Sequence, residues 1–133
     1  MDKIVHLNST TKNDVLDLTS FVNDFVESAK VREGFVLIYV PHATCAVIIN
    51  ENYDLNICDD LLSALNKLIP EGIWKHDNVD DNAAAHIKAS IIGPSELIPI
   101  KDSKLQLGTW QSPMLCDFDG PKKRTVIMQI HKS

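Results

Sequence analysis

Apolar positions recur along the chain in two rhythms, one suited to strands and one to helices. Ile4 to Leu7 alternates and predicts a strand, followed by a turn over Ser9 to Lys12. Phe21, Val22, Phe25, Val26 and Ala29 then fall at the helical period, with Asn23, Asp24 and Glu27 opposite them. That helix runs to about Lys30, with Thr19 or Ser20 as its cap, and Gly34 closes the segment. Phe35 to Val40 is β-branched and aromatic, a buried strand that Pro41 stops; Cys45 to Asn50 is the next. A second helix starts at Asp54 or Asn56, sets Ile57, Leu61, Leu62, Leu65 and Leu68 on one face, and ends at Pro70-Glu71-Gly72.

Trp74 to Asn82 is polar and rich in Asp and Asn, which predicts an ordered loop rather than helix or strand. Ala83 to Ile92 is a third helix, capped at Asn82 and stopped by Gly93-Pro94. Strand signals follow at Leu97 to Ile100, Leu105 to Leu107, Trp110 to Phe118 and Thr125 to His131. Turns separate them at Lys101 to Lys104 and Asp119-Gly120-Pro121. Helices mixed with a run of hairpins predict an α+β fold. No repeat, low-complexity tract or long linker divides residues 1–133, so a single domain is expected.

Composition narrows the function classes. The 133 residues are 44% hydrophobic and 23% charged, ordinary values for a globular domain. A net charge of -5 argues against general nucleic-acid binding, which needs a basic face. Runs such as Phe35 to Val40 are too short to cross a bilayer, so no membrane role is expected. No basic segment leads into an apolar one at the start, and Cys45, Cys58 and Cys116 form no CxxC pair. Neither a zinc knuckle nor a disulfide framework is indicated, and the cytoplasm is the expected compartment.

The candidate chemistry centres on histidines. His42 follows Pro41 at a strand end, where a scaffold presents reactive groups; a turn hydrogen bond is the plainer alternative. His76 lies in the polar loop and His86 near the start of the third helix. Three imidazoles with one open position make a catalytic zinc site. The spacing of 42, 76 and 86 matches no compact metal motif, and an exposed loop histidine with a capping one is the alternative. Asp77, Asp80 and Asp81 share the loop with His76, as carboxylates that hold an imidazole's second nitrogen, as bases, as magnesium ligands or simply as turn formers. Lys122-Lys123-Arg124 could receive a phosphate or form a solvated hairpin end. Gly108 suggests close approach or positive φ, Gln111 offers donor and acceptor, and Trp110 would otherwise fill the core beside a bulge. Cys45 sits near His42, but packing is the reading preferred over nucleophile.

Several blocks together carry a resemblance. Pro41-His42-Ala43-Thr44 with Asn50-Glu51 resembles the opening signature of the YjbQ-like family. Ala85 to Ser90 with Gly93-Pro94-Ser95 is similar to its middle block. Leu105 to Gln111 and Phe118 to Pro121 resemble its C-terminal block. The match spans about residues 16 to 131, in order. The resemblance implies two packed, mainly antiparallel sheets with flanking helices, a homotrimer and a histidine-lined metal cleft. It implies His42, His76 and His86 as metal ligands, zinc ahead of magnesium, with Asn50, Glu51, Lys88, Gln111 and Asp119 around the pocket. Three positions depart from the family pattern. Ala43 stands for the usual threonine, Asp117 for glutamate, and Lys122 for arginine, which trades a planar fork for a point charge.

The activity implied is that of a secondary thiamine-phosphate synthase, joining a hydroxymethylpyrimidine diphosphate to a thiazole phosphate. Glu51, Lys88 and Gln111 are then the expected catalytic groups; Asn50, Asp119, Lys122 and Arg124 are expected to bind substrate. A nitrogen-rich site suits zinc more than the magnesium that diphosphate departure commonly uses. Two further readings therefore stand beside it: a small zinc-dependent hydrolase of a phosphorylated or acyl metabolite, and a non-catalytic metal- or anion-binding module.

Overall fold

The computed structural model describes residues 1–133 as eight strands and three α-helices. In chain order these are β1 (Asp2–Asn8), β2 (Asp14–Asp17), α1 (Thr19–Ala29), β3 (Gly34–Tyr39) and β4 (Cys45–Asn50). Then come α2 (Leu55–Leu68), a 3-10 turn (Lys75–Asn78), α3 (Ala83–Ile92), β5 (Ser95–Lys101), β6 (Lys104–Leu105), β7 (Ser112–Asp117) and β8 (Lys123–Lys132). Two antiparallel sheets result, one ordered β1-β8-β3-β5-β6 and one ordered β2-β7-β4.

Strand alternation decides what each face meets. Val36 and Ile38 of β3, Ile98 and Ile100 of β5, and Val126, Met128 and Ile130 of β8 point inward from the large sheet. They pack with Val22, Phe25 and Val26 of α1 and with Cys45, Val47 and Leu115 of the small sheet. The opposite face of the small sheet is covered too. Ala46, Cys116 and Phe118 pack there against Ala85 and Ala89 of α3, with Leu62 and Leu65 of α2 alongside. Covered on both faces, β4 and β7 read as nearly unbroken apolar runs.

Several expectations need correction. The stripe on α2 is shallow: Ile57, Leu61, Leu62 and Leu65 are half-buried and Leu68 is 77% exposed. Neither Thr19 nor Ser20 caps α1; Leu18 holds that position, and the Thr19 N–H donates to Asp17 Oδ1 at 2.7 Å. The Trp74 to Asn82 segment is not all loop. Asp77 accepts from the Trp74 and Ala83 N–H groups at 3.0 and 3.1 Å, which winds Lys75–Asn78 into a 3-10 turn and leads into α3. Asn82 precedes α3 without capping it by its side chain. Trp110 is 58% exposed, meets Tyr53 edge-on, and lies outside the shorter β7.

Candidate functional site

The loop Val40–Thr44 between β3 and β4 is held by backbone bonds on two sides. The Val40 and Val47 N–H groups donate to Pro94 and Gly93 carbonyls at the α3–β5 junction. Phe118 N–H donates to Thr44 O, joining the loop to the β7–β8 turn. His42 therefore stands between the start of β8 and the face of α3. A cleft of about 520 Å³ opens there, walled by Tyr39, Pro41 and His42 on one side and by His86, Ser90 and Pro94 on the other.

Beneath the loop lies a buried ion pair. Asp117 is wholly buried in β7, and Arg124 grips it with Nε and Nη2, each at 2.8 Å. Ser9 Oγ donates to Oδ2 at 2.6 Å and the Asp119 N–H to Oδ1 at 2.9 Å. Burial alone would raise the Asp117 pKa, but those hydrogen bonds outweigh it and hold the carboxyl below its ordinary range. Arg124 also donates through Nη2 to Thr44 Oγ1 at 3.1 Å. Gly120 in the same turn is obligatory, since a Cβ there would collide with the Thr11 carbonyl oxygen and Ser9 Oγ.

His42 is fixed by a backbone donor. The Thr125 N–H donates to Nε2 at 3.0 Å, and Arg124 Nη1 lies 3.4 Å from Nδ1. Burial first, and then the Arg124 charge, lower the His42 pKa, so the ring is neutral at pH 7. On the other wall His86 meets His76 edge-on, with 5.0 Å between ring centroids. Nε2 of His76 is shut from solvent without a hydrogen bond, and Asp80 Oδ2 stands 3.5 Å from it.

These positions bear on the metal set. His76 and His86 are of the type that a zinc-like cation takes: two imidazoles meet edge-on, and Nε2 of His76 has no hydrogen bond, only the Asp80 carboxylate nearby. His42 shares the cleft with His86 but has its Nε2 lone pair committed to Thr125. No cluster of three His, Cys, Asp or Glu side chains converges on one ion-sized point. The chain therefore brings His76 and His86 together but does not converge His42, His76 and His86 on one point.

The other expected residues divide. Arg124 stands beside His42, and Asp119 lies beyond it, its carbonyl 3.4 Å from Arg124 Nη2. Asp119 Oδ2 accepts from Asn82 Nδ2 at 2.9 Å and from Lys122 Nζ at 3.0 Å, while Asn82 Oδ1 is buried and unpartnered. Asn50 and Glu51 lie at the far end of β4 beside Ile57 and Cys58. Six strand rises separate Glu51 from Cys45, about 20 Å, so this chain does not bring Glu51 to the cleft. Gln111 is exposed, and its Oε1 accepts the Gly108 N–H at 2.8 Å, which also explains the crowding at Gly108. Lys88 sits two residues beyond His86, about 200° round the helix, so it faces away from that ring. It is buried against Asn13, Asn66 and the Phe118 ring.

Sequence reasoning passed over Asp117, Ser9 and Thr44 as site-building groups. The available signal was a lone acid in the apolar run Pro113 to Phe118, where a charge must find a partner. Cys45 is inert packing beneath the loop, its thiol pushed up to about 12 by burial.

The family model described as UPF0047 protein YjbQ-like matches residues 3–133. A UPF0047 protein of Archaeoglobus fulgidus is 42% identical over 124 residues, 92% of this chain and 95% of that one. UPF0047 protein YugU of Bacillus subtilis is 34% identical over 133 residues, covering 98% of each. Among solved structures, the hypothetical protein APE1520 of Aeropyrum pernix K1 superposes with a TM-score of 0.95 at 34% identity, over 100% of this chain and 99% of that one. An uncharacterized YjbQ/UPF0047-family protein of Clostridium acetobutylicum gives 0.93 at 38% identity, over 97% and 99%. The order of blocks, the paired antiparallel sheets and these matches over nearly the whole length agree: this chain belongs to the UPF0047 YjbQ-like family.

Proposed function

We propose that the cleft between His42 and His86 is an active site for group transfer on a phosphorylated small molecule, with His76 and His86 as the chain's ligands to a divalent cation, zinc ahead of magnesium. The observation that carries this reading is His76 Nε2, which makes no hydrogen bond beside the His86 ring and has the Asp80 carboxylate 3.5 Å away. When bound, such a cation neutralises charge on a departing phosphate or diphosphate.

The chain's own residues do the rest. Burial and the Arg124 charge keep His42 neutral against the pull of Asp117, and the Thr125 N–H fixes its orientation. Lys122, half-exposed at the turn, lies at the rim as a cation for an incoming anion, although Asp119 holds it in the free protein. The reaction to test first is the secondary thiamine-phosphate synthase activity that the family resemblance implies. A second reading is favoured by the ligand chemistry: two nitrogens suit a zinc-dependent hydrolase of a single phosphorylated substrate.

The proposal extends to a homotrimer. Ile4, Phe35, Tyr39 and Leu97 share the outer face of the large sheet and are each at least 40% exposed, a surface suited to another copy. A cytoplasmic setting agrees with three free thiols.

The test uses full-length protein stripped by chelator and restored with zinc. It is supplied with hydroxymethylpyrimidine diphosphate, with and without the thiazole phosphate. Zinc-dependent product only from the pair supports the synthase, and zinc-dependent release from the diphosphate alone supports the hydrolase. Turnover at wild-type rate in a folded His86→Ala variant, or none on any phosphorylated substrate, overturns the active-site reading.

A further inference from the structure

A head-to-head contact at His42 carries a conclusion about the ligand. The Thr125 N–H is a donor under all conditions, so Nε2, which receives it at 3.0 Å, holds a lone pair and no proton. A neutral imidazole then carries its proton on Nδ1. Yet 3.4 Å from Nδ1 stands Arg124 Nη1, which also bears only protons to give. The other arms of that guanidinium are occupied. Nε and Nη2 reach Asp117, and Nη2 also reaches Thr44 Oγ1 and, at 3.4 Å, the Asp119 carbonyl. Two donors thus face each other with no acceptor between them.

The neighbouring negative charges are already committed. Asp117 is consumed by Arg124 and Ser9, and Asp119 by Lys122 and Asn82. Neither carboxylate is free to fill the gap, and each has a cation beside it that offsets its charge. The His42 ring lines the cleft, while Arg124 is buried directly behind it. Arg124 does not itself line the cleft, so an oxygen that reached the Nδ1 edge of the ring would meet one neutral N–H there and one charge-assisted N–H behind it, a pairing suited to phosphoryl oxygens.

We infer that His42 Nδ1–H and Arg124 Nη1–H form a two-pronged seat for one phosphoryl oxygen of a phosphate- or diphosphate-bearing ligand. The inference rests on the reading of the cleft as a site for a phosphorylated molecule, and it names the atoms that grip it. It gives His42 the role of anion donor, and it requires no cation at His76 and His86.

The experiment uses chelator-stripped, full-length protein and inorganic pyrophosphate. Long-range ¹H–¹⁵N correlation on the wild type should show His42 with Nδ1 protonated and Nε2 bare, and pyrophosphate should move the Nδ1 resonance saturably. Calorimetric affinity should fall at least tenfold in His42→Ala. A protonated Nε2 overturns the inference outright, and so does a failure of pyrophosphate to bind. Equal affinity in His42→Ala overturns it too, because surface cations such as Lys123 would then hold the anion. Pyrophosphate seated on His42 without any turnover sinks the proposed chemistry and leaves the seat standing. Turnover of a phosphorylated substrate with no effect at His42 does the reverse.

Discussion

Replacing Asp117 with Asn keeps the size of the side chain and removes the charge that holds the β7–β8 turn to the His42 loop. The carboxylate accepts four hydrogen bonds: from Ser9 Oγ, Arg124 Nε, Arg124 Nη2 and the Asp119 N–H. The amide offers a single acceptor oxygen, so at least one Arg124 prong would face an NH₂ group and the guanidinium would lose its counter-charge. Breaking a buried ion pair from one side costs about 3–5 kcal/mol. With a urea m-value of about 2 kcal/mol per molar for a domain of this size, the midpoint should fall by about 2 M at fixed protein concentration. The acid limb should change with it. Because the folded Asp117 pKa lies below its unfolded value, its contribution is whole above the ordinary carboxyl range near 3.9 and is lost as pH falls through the folded value. Asp117→Asn should therefore lose most stability at pH 7 and converge on wild type as pH falls below the ordinary carboxyl range and through the folded Asp117 pKa. A midpoint shift under about 0.5 M, or an unchanged gap across the acid range, would refute the assignment of Asp117 as the anchor of this site.

Other outcomes follow from the same geometry. Thiol titration of the native protein at pH 8 should leave Cys45 and Cys116 unreacted, since burial pushes both to about 12; rapid labelling of either would contradict their packing role. Cys45→Ala should keep full activity in the zinc-restored assay, and total loss would make it a participant. Gly120→Ala should destabilise by about 1–3 kcal/mol in urea melts, because the new methyl would press on Thr11 O, Ser9 Oγ and Asp117 Oδ2. Light scattering should give three times the chain mass, and Leu97→Glu, which charges the exposed sheet face, should shift it toward monomer.

The fold was legible wherever one rhythm governed a segment. Cys45 to Asn50 is the strand its sequence predicts, end to end, because its first three residues are buried in a two-sided sheet and Ile48 and Ile49 are partly covered. Ala83 to Ile92 is likewise the predicted helix, set by helix formers and the Gly93 stop. Legibility failed where a polar side chain chose a distant partner over a local one. Asn82 serves Asp119, 37 residues on, and the α3 entry is held by Asp77. Periodicity carries no information about such pairings. The site shows the same division. Strand-end placement made His42 visible, but only the β8 register, which presents the Thr125 N–H, reveals that its Nε2 is taken. Glu51 and Gln111 sit near the site only in the sense of sharing motif blocks with it; β4 carries one to the opposite sheet end and Gly108 occupies the other.

X-ray diffraction from zinc-soaked crystals, recorded on both sides of the zinc absorption edge, addresses the cation pair most directly. The account predicts one strong anomalous peak bonded to nitrogens of both His76 and His86 at about 2.0–2.1 Å, opening toward the cleft. An empty map at that pair, or zinc gathered at His6 or His131 instead, would contradict it.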